Sequence, residues 1–256
     1  MISKAIFQND PNSVAIETQS NTVSYEELFN QVERVYHWLI DQNVNVLVLE
    51  SDNVPEWVYI DLACQKAGVV FIPVPSFFSK SQIDNVIARV EPDVIIQPKD
   101  NSTLWETFIF PVYQFSKFKR SNKSNMPKGT SKVTFTSGST GQPKGVCLSV
   151  ENQFRVANSL VERIGIKQPK HFCLLSFSTL LENIAGIYAP LMAGGTLSIF
   201  TDSQRGFNGS MITSSEALLS AVSSVKPETI ILVPELLQFL LHANSSVWKL
   251  PNSFKF

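Results

Sequence analysis

Residues 136–145 are Thr-Ser-Gly-Ser-Thr-Gly-Gln-Pro-Lys-Gly, so four hydroxyls, three glycines and one lysine occupy ten consecutive positions. Glycines let successive backbone N–H groups converge on an anion, and a compact run of such groups forms an anion-binding nest. Hydroxyl groups add short hydrogen bonds, and Lys144 adds a mobile positive charge. The pattern predicts a phosphate-binding loop; the alternative is a hairpin turn with incidental hydroxyls.

This loop differs from a Walker A motif, which requires Gly-x-x-x-x-Gly-Lys-Ser/Thr in front of a helix. Counted from Gly138, the second glycine position holds Pro143, and Gly145 follows the lysine instead of preceding it. The residues that come next, Val-Cys-Leu-Ser at 146–149, favour a strand. We therefore predict that the loop joins two strands.

Apolar runs alternate with helical patterns on both sides of the loop, after a short hairpin predicted at 14–24. Strands are predicted at 44–49, 69–74, 93–97, 132–136, 146–149, 172–175, 196–200 and 229–233. This alternation indicates an α/β fold with layered, largely parallel sheets flanked by helices. The polar, basic stretch 116–131 predicts a linker or surface loop between a first lobe, 1–115, and a second lobe, 132–256.

The composition is that of a globular protein, with 256 residues, 44% of them hydrophobic and 17% charged. A formal net charge of -1 gives no basic excess for a nucleic-acid partner. No apolar run approaches the roughly 18 residues of a transmembrane segment, and no secretory start is visible. The three cysteines are widely spaced, which favours buried thiols in a cytoplasmic protein and no metal centre.

The segment 132–146 is similar to the phosphate-loop motif of adenylate-forming (AMP-binding) enzymes, a superfamily that includes acyl-CoA synthetases, luciferases and peptide synthetase adenylation domains. Four further segments resemble other elements of that superfamily in the expected order: 24–28, 63–74, 191–196 and 231–234. The resemblance covers nearly the whole chain. It implies that both lobes belong to the N-terminal domain of the adenylate-forming enzyme fold.

The resemblance also implies an ATP-dependent acid–thiol ligase of the acyl-CoA synthetase type. A carboxylate attacks the α-phosphate of ATP, and a thiol, often that of coenzyme A, then takes the acyl group. The expected cofactors and co-substrates are ATP, Mg²⁺ and coenzyme A, and the expected partner is a small carboxylate. The residues expected to bind the nucleotide are Thr136, Ser137, Gly138, Ser139, Thr140, Gly141 and Lys144. Thr136 and Lys144 are also expected to act in catalysis.

A second segment bears on the acyl substrate. Many relatives carry Pro-Leu-aromatic-His where residues 176–183 are Ser-Phe-Ser-Thr-Leu-Leu-Glu-Asn, so the histidine is missing here. The expected substrate contacts are Phe177, Ser178, Thr179 and Asn183. Residues of this segment are equally compatible with an ordinary core, and Glu182 with a pocket floor or a helix surface. The apolar content favours a fatty acid over an amino acid.

Later elements of the superfamily do not appear before Phe256, among them the Tyr-Gly-x-Thr-Glu element and the mobile C-terminal domain. We therefore expect an N-terminal part that is not catalytically complete by itself. Unpaired sheet edges would then be exposed, either as a hazard for solubility or as a surface for a dimer. The alternative is a noncatalytic nucleotide-binding or dimerisation module that keeps the fold.

Overall fold

The computed structural model of the protein describes residues 2–98, 113–118, 126–136, 144–243 and 249. The strands in chain order are β1 (Val14–Glu17), β2 (Thr22–Ser24), β3 (Val46–Glu50), β4 (Val70–Val74), β5 (Val94–Pro98), β6 (Tyr113–Lys117), β7 (Lys132–Thr136), β8 (Lys144–Leu148), β9 (Lys170–Cys173), β10 (Thr196–Ile199), β11 (Phe207–Asn208), β12 (Met211–Ile212) and β13 (Thr229–Ile230).

The helices in chain order are α1 (Ile2–Ile6), α2 (Tyr25–Asp41), α3 (Pro55–Ala67), α4 (Lys80–Val90), α5 (Val150–Ile164), α6 (Ala189–Met192), α7 (Asp202–Arg205), α8 (Ser215–Val225) and α9 (Pro234–Ala243). A π-helix, Glu182–Tyr188, leads directly into α6. None of the helices in the described ranges combines the length and the apolar composition needed to cross a lipid bilayer.

The chain divides into two compact units. The first is Glu27–Phe154, and the second combines Ile2–Glu26 with Arg155–Phe256. The division falls later in the chain than the predicted linker 116–131, because β7 and β8 pair into the sheet of the first unit. Strand β7 lies parallel to β4, with Lys132 opposite Phe71, so the predicted phosphate loop is part of the first unit.

The first unit is built on a six-stranded sheet in the order β6-β5-β3-β4-β7-β8. Its four inner strands are parallel, and the two edge strands run antiparallel to their neighbours. Inner strands covered on both faces need nearly continuous apolar sequence, as Val46–Glu50 shows. Helix α3 is buried from Trp57 to Cys64, and it ends at Gly68 in the left-handed conformation (φ 71°).

The second unit is built on a five-stranded sheet in the order β13-β9-β10-β1-β2. Strands β13, β9, β10 and β1 are parallel, and β2 closes the edge as an antiparallel hairpin with β1, as predicted. Phe172, Leu174 and Phe200 pack with residues of α8 and α9 in one hydrophobic cluster. On another part of this unit, the Tyr25 hydroxyl donates to the carbonyls of Leu191 (3.1 Å) and Gly195 (2.8 Å).

The predicted fold class, α/β with largely parallel sheets flanked by helices, is confirmed. Strand 132–136 and the hairpin at 14–24 have the predicted bounds within two residues. The cysteines differ from expectation in one case: Cys64 and Cys173 are buried, but Cys147 is exposed because it lies on the edge strand β8. The edge strand β6 and the short elements α7, β11 and β12 were not predicted, because two- to five-residue segments carry little periodicity.

Candidate functional site

The base of the predicted phosphate loop is an antiparallel pair of strands, as the sequence predicted. In the ladder of β7 and β8, Thr136 lies opposite Lys144 and Phe135 lies opposite Gly145. The seven residues 137–143 connect the two strand ends. Five of the predicted nucleotide-binding residues fall in this connection and lie outside the described residues: Ser137, Gly138, Ser139, Thr140 and Gly141.

Thr136 and Lys144 are brought together by this register. Both are exposed. Directly opposed residues of an antiparallel pair have Cβ atoms about 4.5–5.5 Å apart on the same face of the sheet. The two side chains therefore leave the same face of the strand pair at the root of the loop. The catalytic role expected of both residues stays a prediction.

A buried ion pair anchors the beginning of β7. Lys132 Nζ lies 2.8 Å from Asp61 Oδ1, and the side chains are 1% and 0% exposed. The ammonium group also lies over the rings of Phe71 (5.3 Å) and Trp57 (5.7 Å). Burial lowers the pKa of Lys132, and the Asp61 carboxylate opposes that shift. Such a pair costs free energy to bury but is strongly destabilising to break, so it fixes this end of β7 to α3.

The end of β8 is fastened to the same place. The Ser131 N–H donates to the Leu148 carbonyl (2.8 Å), which extends the ladder beyond Lys132. The buried Gln153 amide donates to Ser131 Oγ (2.9 Å) and thereby ties α5 to the strand pair. The loop therefore emerges from a rigid base, which is what a preorganised anion site requires.

Gly145 has a role in packing that the sequence interpretation did not foresee. A Cβ atom at this position would lie 2.9 Å from Val133 Cγ1 and 3.1 Å from the ring of Phe135. Both contacts are shorter than ordinary van der Waals distances. The glycine of the Pro-Lys-Gly tail thus lets β8 lie against the side chains of β7, with Lys144 held at the loop end.

The four predicted substrate residues lie together in the second unit, in the loop after β9 and the start of the π-helix. Phe177, Ser178 and Asn183 are buried, and Thr179 is exposed. The Asn183 N–H donates to the Thr179 carbonyl (3.0 Å), and Ser178 Oγ lies 2.8 Å from Ser176 Oγ. Since Thr136 and Lys144 belong to the first unit, the structure presents two groups of predicted residues, each assembled within its own unit.

A cavity of about 770 Å³ in the second unit has a mostly aliphatic lining. Representative lining residues are Val161, Ile164, Ala189, Pro190, Ile231 and Leu237. The cavity also contacts Pro169 and Glu228, which precede β9 and β13. The lining continues through β13 to Leu232 and Leu237, so the cavity extends along both ends of this strand. None of the four predicted substrate residues lines it.

Three buried side chains of β9 and the π-helix meet in a cluster that the sequence pattern did not indicate. Ligand atoms of His171, Cys173 and Glu182 lie within 4.8 Å of one another. Nitrogen, sulfur and oxygen donors suit a zinc ion, but here hydrogen bonds engage them. His171 Nδ1 lies 2.9 Å from Thr229 Oγ1, and His171 Nε2 lies 3.4 Å from Glu182 Oε1. Burial and the Glu182 carboxylate raise the pKa of Cys173.

A buried guanidinium group lies on the other side of the same loop. Arg205, 1% exposed, donates to the carbonyl of Leu174 and to Asp202 Oδ1. Its guanidinium carbon lies 5.7 Å from the ring centroid of Phe207. Sequence analysis did not select Arg205, because its partner Leu174 lies 31 positions earlier in the chain. No local pattern of residue types connects the two.

Comparison with known proteins gives these two groups a context. The sequence profile described as "AMP-binding enzyme" matches residues 4–253. A D-alanine–D-alanyl carrier protein ligase of Staphylococcus haemolyticus is 25% identical over 199 residues, and the match covers 75% of this chain and 40% of the ligase. An N-(5-amino-5-carboxypentanoyl)-L-cysteinyl-D-valine synthase of Penicillium rubens is 24% identical over 223 residues, which cover 78% of this chain and 6% of the synthase.

The chain thus spans less than half of the length of the curated relatives that it matches. Among solved structures, o-succinylbenzoate coenzyme A synthetase of Bacillus subtilis in complex with ATP and a magnesium ion superposes with a TM-score of 0.73 at 18% identity. That match covers 100% of this chain and 68% of the synthetase chain. The profile match extends over nearly every residue, and the protein therefore belongs to the AMP-binding enzyme family.

Proposed function

We propose that the protein activates a carboxylic acid with ATP. A carboxylate oxygen attacks the α-phosphorus, the bond to the leaving pyrophosphate breaks, and an acyl-adenylate forms. The observation that carries the proposal is the pairing of Thr136 with Lys144 at the root of a loop rich in glycine and hydroxyls. In this role Lys144 neutralises a phosphate oxygen, and Thr136 donates a hydrogen bond to it. ATP binds with Mg²⁺, which shares the neutralisation of the triphosphate.

The finer part of the proposal is a fatty acid as the substrate and a thiol, such as that of coenzyme A, as the acyl acceptor. The apolar character of the loop after β9 and of the π-helix supports it, since Phe177, Ile184 and Ile187 are all buried there. A second candidate is an amino acid. The curated relatives favour it, because their names specify D-alanine, cysteine and valine. In both cases the reaction belongs in the cytoplasm, a proposal supported by three free cysteines.

The test measures the release of pyrophosphate by the full-length protein in the presence of ATP and Mg²⁺. The acid is octanoate, D-alanine or L-valine. Faster release with octanoate supports a fatty acid as the substrate. Faster release with an amino acid overturns the fatty-acid substrate and leaves the proposed adenylation in place. Release followed by thioester formation with coenzyme A supports the acceptor. ATP binding without release for any acid would instead favour the noncatalytic nucleotide-binding module.

Lys144→Ala tests the site within the same assay. Loss of one preorganised positive group at a phosphoryl centre lowers the rate by about 10²- to 10³-fold. The matched control is Lys80→Ala, which removes an exposed lysine from the beginning of α4 in the same unit. This control is expected to retain the wild-type rate. Equal rates for Lys144→Ala and the wild type would remove Lys144 from the site.

A further inference from the structure

One peptide group at the end of β9 is held from both sides by buried charges. The carbonyl of Leu174 accepts a hydrogen bond from the Arg205 guanidinium. The N–H of Leu175 donates to Glu182 Oε2 at 3.3 Å. These are the two polar ends of a single peptide unit, and Arg205 and Glu182 are 1% and 0% exposed. The cation faces the negative end of the peptide dipole and the anion faces its positive end.

The peptide group lies where the sheet no longer fixes the chain. The last ladder partner of β9 is Cys173, opposite Ile199 of β10, and β13 pairs only as far as Phe172. Leu174 and Leu175 follow directly. The segment after them, called the loop 176–181, ends in Leu180 and Leu181, which already have helical backbone. This is the carboxyl end of a parallel strand, where ligands of α/β folds bind. Hydrogen bonds from side chains therefore hold the backbone here in place of strand pairing.

Each of the two charged groups is itself fixed by a second contact. Glu182 Oε1 lies 3.4 Å from His171 Nε2, and His171 Nδ1 lies 2.9 Å from Thr229 Oγ1. On the other side, Asp202 accepts from Arg205 through Oδ1 and from the Gly209 N–H through Oδ2 (3.0 Å). A chain of contacts thus runs from β13 through β9 and the loop to α7. Side chains that are held by several contacts keep one geometry. Residues that support a binding site must be fixed in this way.

Gly186 makes the approach of Glu182 possible. A Cβ atom at this position would lie 2.5 Å from Glu182 Oε1 and 2.9 Å from His171 Nε2. The π-helix brings Gly186 under the carboxylate, so the acid turns back over its own helix toward β9. Short π-helical turns are found frequently at functional sites.

We propose that Glu182 and Arg205 are positioning residues that hold the Leu174–Leu175 peptide group and thereby set the conformation of the loop 176–181 for recognition of the carboxylate substrate. The inference rests on the proposed function, since Phe177, Ser178 and Thr179 in this loop are the proposed substrate contacts. Arg205 and Glu182 act through the loop backbone and do not contact the substrate.

The experiment compares KM values for the acid and for ATP in Glu182→Ala and Arg205→Ala, with octanoate as the probe and D-alanine as the alternative. A misplaced loop raises the KM for the acid by about 10- to 100-fold, and the KM for ATP is expected to stay unchanged. Glu182→Gln keeps an oxygen for the Leu175 N–H, and Arg205→Lys keeps one donor, so both are expected to recover most of the affinity. If the alanine variants do not fold, Glu182→Gln and Arg205→Lys test the positioning role in their place. A smaller rise in the KM for the acid is then expected.

The matched control is Tyr25→Phe, which also removes buried side-chain hydrogen bonds to the backbone of the second unit, at Leu191 and Gly195. It is expected to lower thermal stability without changing the KM for the acid. Amide hydrogen exchange of residues 174–181 adds a readout that needs no turnover. Faster exchange is expected in the Glu182 and Arg205 variants and not in Tyr25→Phe, and added acid is expected to slow exchange in the wild type.

Three outcomes overturn different claims. Wild-type activity with an unchanged KM for the acid in all four variants overturns the positioning role. If the wild type shows no activity, and added acid does not slow its amide exchange, the proposed function is overturned. Stoichiometric metal in the purified protein that is lost in Cys173→Ser would make Glu182 a metal ligand and overturn the assignment of its carboxylate to Leu175.

Discussion

The end of β7 and the end of β9 differ in what surrounds the chain where it leaves the sheet. At the end of β7 the strand pair of β7 and β8 is exposed, whereas at the end of β9 a peptide group is held between two buried charged side chains. Thr136 and Lys144 face solvent in the first case. Glu182 and Arg205 are inaccessible in the second. In the first region Thr136 and Lys144 are proposed to bind ATP, and the strand pair is anchored at its other end. In the second region the charged side chains bond to the backbone of the chain itself, and the neighbouring loop is proposed to contact the acid.

The difference shows two ways to preorganise a loop, and they respond differently to mutation. In the first unit the Lys132–Asp61 pair lies at the opposite end of β7 from the residues that are proposed to bind ATP. In the second unit stability and the proposed binding of the acid both depend on Glu182 and Arg205. Mutations should therefore separate stability from binding in the first unit and couple them in the second.

The largest effect on stability is expected from Asp61→Ala. This change leaves Lys132 buried without its partner, and breaking a buried pair costs about 3–5 kcal/mol of unfolding free energy. Urea denaturation measures the loss. The double variant Asp61→Leu/Lys132→Met, which removes both charges, is expected to lose less. Glu33→Ala breaks the partly exposed pair with Lys66 and is expected to cost at most about 1 kcal/mol. Equal losses in all three variants would mean that the buried pair does not fix β7.

A smaller loss is expected from Gly186→Ala. The new methyl group would force Glu182 and His171 apart, and strain of this kind costs about 1–3 kcal/mol. The same change should speed amide exchange at Leu175 and raise the KM for the acid. A loss of stability with an unchanged KM for the acid would show that stability and acid binding are separable in the second unit.

Gly145→Ala is the counterpart in the first unit, and its effect is expected to be smaller. The three nearest atoms that the methyl group would meet belong to the side chains of Val133 and Phe135, so a cost near 1 kcal/mol is expected. Phe135→Leu combined with Gly145→Ala should restore part of the loss by making room. If the double variant is less stable than the sum of the single changes, the ring of Phe135 is not the obstacle.

Thr136→Val is expected to leave stability almost unchanged, within about 0.5 kcal/mol, because the side chain is exposed. It should raise the KM for ATP by about 2- to 12-fold, since one hydrogen bond is worth about 0.5–1.5 kcal/mol. The KM for the acid serves as the internal control and should not move. A fall in stability comparable to that of Asp61→Ala would place Thr136 in the supporting base and not in the binding face.

The sequence predicts best those features whose residues lie close together in the chain. It predicted β7, its hairpin partner and the fold class, because the loop carries its glycines, hydroxyls and lysine within ten positions. It did not identify Arg205, His171 or Glu182 as a connected group, because their contacts join β13, β9, the π-helix and α7 across distances of up to 58 residues.

The predicted division at 116–131 shows the same limit. A polar stretch marks a change of composition, but pairing of β7 with β4 depends on residues more than fifty positions apart. The roles of Ser137, Gly138, Ser139, Thr140 and Gly141 in binding nucleotide stay predictions, as do those of Phe177, Ser178, Thr179 and Asn183 in binding the acid.

The register of β7 and β8 also determines how this protein could be engineered. Because the ladder sets Thr136 opposite Lys144, their side chains lie on the same face as long as this register is kept. Residues 137–143 can therefore be exchanged in a library at constant length, whereas a change of length can shift the register of the two strands. A shift of the ladder itself by one residue would turn Lys144 to the opposite face. Loop variants in this protein are best built between the two strand ends, with the strands left untouched.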